Sequence, residues 1–145
     1  MKKEIVNAHC DGPCGIYDPA SARIAAEAVL SMTKKMLDLK APSADNSEAM
    51  AHYVNTMSRY ASIKEQEAKK CKDEVLVLWT DFFKPEHLDK HDDLHSLFWN
   101  TAKLCSACKV ELSADHANEL LEHIKQIHDL FWGVKGREVD WYTAG

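Results

Sequence analysis

Val75-Leu76-Val77-Leu78-Trp79 is the stretch on which the fold turns. Five consecutive apolar residues fit a buried strand as well as the inward end of a helix. A strand needs a partner, and the chain offers no second run of this kind and no flanking turn signals. The stretch is therefore expected to be the buried end of a long helix, from about Ser47 towards Phe83. Tyr53, Met57, Tyr60 and Ile63/Lys64 trace one face of it at helical spacing. Asp45 and Glu48 stand at capping-box spacing ahead of it.

Other helices read outward from this one. Upstream, Asp18-Pro19 places a capping residue before a proline at a first helical position. Ala20 to about Leu39 follows as a helix, with Ile24, Val29, Met32 and Met36 among its apolar residues. Pro42 and small polar residues mark 40–46 as a loop. Downstream, Lys84-Pro85 stops the long helix and opens a third, about Glu86 to Cys108. Ser113 caps a fourth, about Ala114 to Val134, ending near Gly133 and Gly136. Arg137 to Gly145 reads as a tail. Amphipathic helices with short links predict an all-α fold, an antiparallel four-helix bundle over residues 19–136.

A chain of 145 residues is one ordinary domain that can bury a core without disulfides. Its net charge of −5 argues against nucleic acid as a partner. An anionic substrate would be repelled slightly by this charge, so attraction must come from local lysines. No apolar run approaches the roughly 20 residues of a membrane span. The first residues, Met1 to Ala8, carry two lysines but no apolar core, so they are no secretory signal and a cytoplasmic location is expected. Five cysteines in a reducing compartment point to metal or redox roles before structural disulfides.

One segment has no place in a bundle. Residues 9–17 read His-Cys-Asp-Gly-Pro-Cys-Gly-Ile-Tyr. Cysteines four apart, with Gly12, Pro13 and Gly15 around them, can turn both sulfurs to one point. With a neighbouring imidazole they form a soft donor set. Spacing alone leaves three readings: a flexible cysteine-bearing terminus, half of a zinc site, or a square-planar site. Zinc usually takes four side-chain ligands, and only three lie here. Two thiolates with backbone nitrogens suit nickel(II) or copper(II).

His9, Cys10, Pro13, Cys14, Gly15 and Tyr17 together resemble the hook of the nickel superoxide dismutases. The resemblance continues through Asp18 to Ile24, Ile63 to Gln66, Leu78 to Pro85 and Ile127 to Trp132. It implies a leader, residues 1–8, that a processing peptidase removes between Ala8 and His9. It implies a hook, residues 9–18, that holds one nickel ion per chain. The freed amine of His9, the amide nitrogen of Cys10 and the thiolates of Cys10 and Cys14 would form the planar set, with the His9 imidazole axial. The implied reaction converts superoxide to oxygen and hydrogen peroxide as nickel cycles between +2 and +3. The implied assembly is a homohexamer. Tyr17 is expected to order water or substrate, and Asp11 to brace the hook backbone. Pro13 is expected to fix the turn.

The chain departs from the family pattern at three places. Many members carry a glutamate and an arginine that support the axial imidazole; Ala25 and Glu67 stand there. Glu67 is expected to take over as carboxylate partner of His9, against the plainer reading of a solvated helix residue. A second tyrosine near the hook is replaced by Phe82, which leaves Tyr17 with more of the role.

Other candidates read as structural. His87, His91 and His95 recur every four residues and would share a helix face, more often a surface stripe than a ligand set. Cys105 and Cys108 lack the strand-to-helix setting of a thioredoxin-type pair, and with Cys71 read as small core residues. Trp79, Trp99 and Trp132 suit core or subunit interface. Lys64 would attract superoxide if it lay near the hook, though a lysine on a long polar helix is more often solvated.

Overall fold

The structure, a computed structural model, describes residues 14–145. The helices are α1 (Ala20–Asp38), α2 (Ser47–Val77), α3 (Leu94–Val110) and α4 (Ala114–Lys135). Among the described residues there is no strand. Each helix packs on two others, α1 on α2 and α4, α3 on α2 and α4. That arrangement is the expected four-helix bundle, since short links make sequential helices antiparallel.

Val75 to Trp79 continues α2, as expected. Val75 and Leu78 are buried in the core. The helix widens at its end into a π turn, Leu78–Phe82, closed by Phe83 N–H donating to the Leu78 carbonyl at 3.1 Å. One extra residue per turn shifts the side-chain register. Phe82 and Phe83 consequently both join the core edge, with their rings 4.9 Å apart.

Small residues carry α1 inward. Ala22, Ala25, Ala26 and Val29 are fully buried and let α1 approach closely. Ile24 is exposed, because the inward stripe falls on its neighbours. α4 supplies larger side chains at helical spacing, Leu120, Ile124, Ile127 and Phe131, all fully buried. Phe98 and Leu94 of α3 complete the middle of the core.

Caps explain where these helices start and stop. Asp18 Oδ1 accepts from Ala20 N–H at 2.8 Å, and Ser113 Oγ accepts from His116 N–H at 3.2 Å. Gly136 takes φ 68° beyond α4, the left-handed stop that glycine allows. The cap of α2 differs from expectation. Asn46, rather than Asp45, accepts from Ala49 N–H at 3.0 Å, while Asp45 is engaged by the Ser43 hydroxyl.

The third helix is also shorter than expected. Pro85–Asp89 is a separate 3₁₀ turn, and α3 begins only at Leu94. Residues 89–93 are all charged or histidine, so nothing apolar holds that stretch to the core until Leu94. His87, His91 and His95 therefore share no helix face. His95 instead accepts the Trp79 indole N–H at 2.9 Å on Nδ1. Trp79 stacks on Phe98 and Trp132 is buried, whereas Trp99 is exposed beneath the Lys103 ammonium.

Residues 137–145 form no helix, yet they lie against the bundle. His128 Nε2 donates to the Val139 carbonyl at 2.8 Å, and Trp141 packs edge-on to the His128 ring. Further on, Tyr142 covers the Arg23 guanidinium at 4.3 Å, and Ala144 N–H donates to Glu27 Oε1 at 2.6 Å. Arg23 and Glu27 pair with each other on α1. The tail thus shields that ion pair from water.

Lys64 is neither solvated nor a surface attractor. Its ammonium is buried and donates to the carbonyls of Cys108, Lys109 and Glu111 at 2.5, 3.1 and 2.8 Å. Those are the orphan acceptors and the negative dipole end of α3. Burial lowers the Lys64 pKa, and the three carbonyls are what offsets the cost of removing its charge from water. Replacing Lys64 by methionine should cost about 3 kcal/mol, because it strands buried acceptors. Urea unfolding of the two proteins measures this.

Cys71, Cys105 and Cys108 are buried core residues, as expected. A hydrogen bond with Cys105, and burial next, hold the Cys71 thiol well above its ordinary pKa. Burial pushes Cys108 up to about 11. Such thiols stay protonated and unreactive at neutral pH. Among the described cysteines, Cys14 alone is exposed. Alkylation of the folded protein at pH 8 should modify Cys14 quickly and spare these three until denaturant is added. Peptide mapping reads the outcome.

Candidate metal centre

His9, Cys10, Asp11 and Pro13 lie outside the described residues, so the candidate site is described from Cys14 inward. Cys14 sits exposed at a turn ahead of α1. Gly15 follows at φ 67°, a left-handed backbone that reverses the chain and that side chains seldom tolerate. Tyr17 is half-buried, and Pro19 is fully buried at the head of α1. The end of the hook is therefore clamped to the bundle while its thiol projects outward.

Aromatic contacts make the clamp. The Tyr17 ring lies 5.7 Å from Phe82, and Phe82 lies 4.4 Å from Phe131 of α4. Phe82 also meets His87, nearly parallel at 6.2 Å. The π turn aims Phe82 at both partners.

A cleft of about 300 Å³ opens beside this cluster. Gly15, Tyr17 and Phe82 form one part of its lining, and Lys84, His87 and Lys135 another. Asp81 and Glu86 also line it, so the ammonium groups do not dominate its charge. Lys84 and Lys135 are the lysines beside this cleft, matched by those two acids; Lys64 is not among them. His87 Nδ1 accepts the Lys84 backbone N–H at 3.0 Å. Sequence reading passed over His87 as part of a surface stripe. The available signal was its place three residues after Lys84, with a proline between, which is capping-box spacing.

The remaining candidates lie on two helices. Ala25 is fully buried on α1, in a core that leaves no exposure for a longer side chain. Glu67 is half-buried on α2 and makes no hydrogen bond or ion pair with the described residues. Its carboxylate is thus available for another partner.

No group of histidine, cysteine or acidic residues that could hold a metal occurs among the described residues. The described portion nonetheless fits half of one. An exposed thiol beside a left-handed glycine, clamped by Tyr17, can meet donors arriving from residues 9–13.

Comparison with known proteins bears on this geometry. The sequence model described as "Nickel-containing superoxide dismutase" matches residues 4–135. A superoxide dismutase [Ni] of Streptomyces coelicolor is 42% identical over 133 residues, 92% of each chain. The counterpart of Streptomyces seoulensis is 39% identical over 130 residues, 90% of each. A native nickel superoxide dismutase structure superposes with a TM-score of 0.76 at 40% identity, covering 89% of this chain and 100% of that one. A structure whose nickel ligation corresponds to the oxidised state gives a TM-score of 0.73 at 39% identity, with the same coverage. The matched span takes in the whole hook, the clamp and the cleft, and on that ground the chain belongs to the family of nickel-containing superoxide dismutases.

Proposed function

We propose that this protein is a nickel-dependent superoxide dismutase that matures by losing Met1 to Ala8. The observation that carries the proposal is the family match over residues 4–135, the span in which His9, Cys10, Cys14 and Tyr17 lie. It begins at residue 4, ahead of His9, which is consistent with a leader as part of the family's sequences.

In this reading the His9 amine and imidazole, the Cys10 amide nitrogen and the thiolates of Cys10 and Cys14 would hold nickel, one ion per chain. Nickel supplies the one-electron chemistry, Ni(II)/Ni(III), that takes one superoxide to oxygen and another to hydrogen peroxide. Anionic sulfur and amide donors favour the higher oxidation state. The chain's own residues do the rest. Asp11 and Pro13 hold the hook backbone in its turn. Gly15 and the Tyr17–Phe82 contact fix the exposed face of the hook against the bundle. The Tyr17 hydroxyl orders water or substrate at the cleft, where peroxide formation needs protons.

The proposal extends to a cytoplasmic homohexamer. Among the described residues no helix is long and apolar enough to cross a membrane.

A superoxide assay on nickel-loaded protein tests the proposal. A chain beginning at His9 should bind one nickel, show a rhombic nickel(III) paramagnetic signal and dismutate superoxide. The uncut chain should be inactive, because its His9 nitrogen is an amide. Equal activity of both forms, or activity without nickel, would sink the reading. Cys14→Ser should abolish nickel binding.

Glu67 is proposed as the carboxylate partner of His9, in place of the family's supporting pair. Groups that orient a metal ligand are typically worth about tenfold or more in activity. Glu67→Gln should cost about that much and alter the nickel(III) spectrum. An unchanged spectrum and rate would return Glu67 to the role of a surface residue.

A further inference from the structure

We propose that His87 is a substrate-binding residue, whose Nε2–H donates a hydrogen bond to superoxide in the cleft beside the hook. The inference rests on the functional reading above and adds a residue to it.

Three observations converge on this ring. It lines the same cleft as Gly15 and Tyr17. It is held in place from two sides, stacked near-parallel on Phe82 at 6.2 Å and edge-on to Phe83 at 5.7 Å. Its Nδ1 lies 3.0 Å from the Lys84 backbone nitrogen, and a backbone N–H can only donate. Nδ1 must then present its lone pair, so the neutral ring carries its proton on Nε2. Among the described residues Nε2 has no hydrogen-bond partner. On a ring of fixed orientation that lines the cleft, an N–H with no acceptor among the described residues is open to donate to a ligand in place of water. The ligand it suits is a small anion.

Phe82 gives this donor a purpose. The family's second hydroxyl near the hook is absent here, and the ring that replaces it is the one against which His87 stacks. His87 therefore returns a donor to the cleft from the adjacent turn. The neutral ring donates and holds; it does not give up its Nε2 proton, since that would leave an imidazolate. The protons for peroxide come from elsewhere, through water or Tyr17.

Lys84 contributes both the N–H that sets the tautomer and an ammonium in the cleft lining. The 3₁₀ turn that follows Pro85 is thus not a frayed helix start. It is the geometry that brings residue 87 back over residue 84.

The test has an arm that needs neither nickel nor processing. In the full, metal-free chain with ¹⁵N-labelled histidine, two-bond ¹H–¹⁵N spectra should place the His87 proton on Nε2. Azide, a small linear anion, should shift that nitrogen on titration. A proton on Nδ1, or no response to azide, overturns the proposal. In the nickel-loaded chain beginning at His9, His87→Phe should lower kcat/KM about ten- to a hundredfold, the worth of a hydrogen bond to an anion. His87→Gln should retain most activity, because its amide can accept from Lys84 and donate to the cleft. Phe82→Tyr added to His87→Phe should restore much of the loss by supplying a hydroxyl. Unchanged kcat/KM and unchanged azide inhibition in His87→Phe would overturn the assignment. If His87→Phe does not fold, the glutamine variant and the metal-free spectra decide. A wild-type protein without dismutase activity would sink the functional reading alone, because the tautomer and azide response are read separately.

Discussion

The tilted contact of Tyr17 with Phe82 ties the segment ahead of α1 to the bundle. A nine-residue hook has no core of its own and cannot hold a geometry unaided. Phe82 lends it one, because Phe82 is itself wedged between Phe131 of α4 and Phe83, which packs on Phe98 of α3. Four ring contacts thus run from the hook into the middle of the bundle. The π turn at the end of α2 makes the wedge possible. Without the extra residue, Phe82 and Phe83 could not both turn inward from consecutive positions.

The same turn organises the cleft. It delivers Asp81 and Phe82 to one wall, and the Lys84-Pro85 break immediately after it delivers Lys84 and His87 to another. Phe82 gives the clamp a purely apolar ring at its centre. Side chains with polar atoms flank that ring, Tyr17 and His87. Fully buried Ala25 keeps α1 close to its neighbour, and Glu67 stands half-buried on α2.

Beneath the site, the bundle meets its polar obligations with few residues. Lys64 satisfies three carbonyls at the end of α3, and the tail covers the Arg23–Glu27 pair near the start of α1. Both sit where an unpartnered group would be costly. The core thiols are kept apart from the chemistry of the hook by burial, which holds Cys71 and Cys108 protonated. Cys14 is exposed on its glycine turn.

By itself the sequence determined the helices, because apolar periodicity, Asp18, Ser113, Pro85 and Gly136 are local signals that act within one turn of the chain. It also narrowed the chemistry of residues 9–17: two cysteines four apart beside a histidine are a soft donor set, while spacing alone left the choice of metal open. Tertiary structure decided whatever depends on neighbours far along the chain. Lys64 reads as one more lysine on a polar face until α3 ends above it, more than forty residues later. Arg137 to Gly145 reads as a tail until Glu27 and His128 offer it partners. His87 reads as one histidine in a stripe until the helix breaks at residues 89–93 and its ring turns onto Phe82. In each case periodicity records only which face of its own helix a residue occupies. What stands opposite that face is fixed when the helices pack.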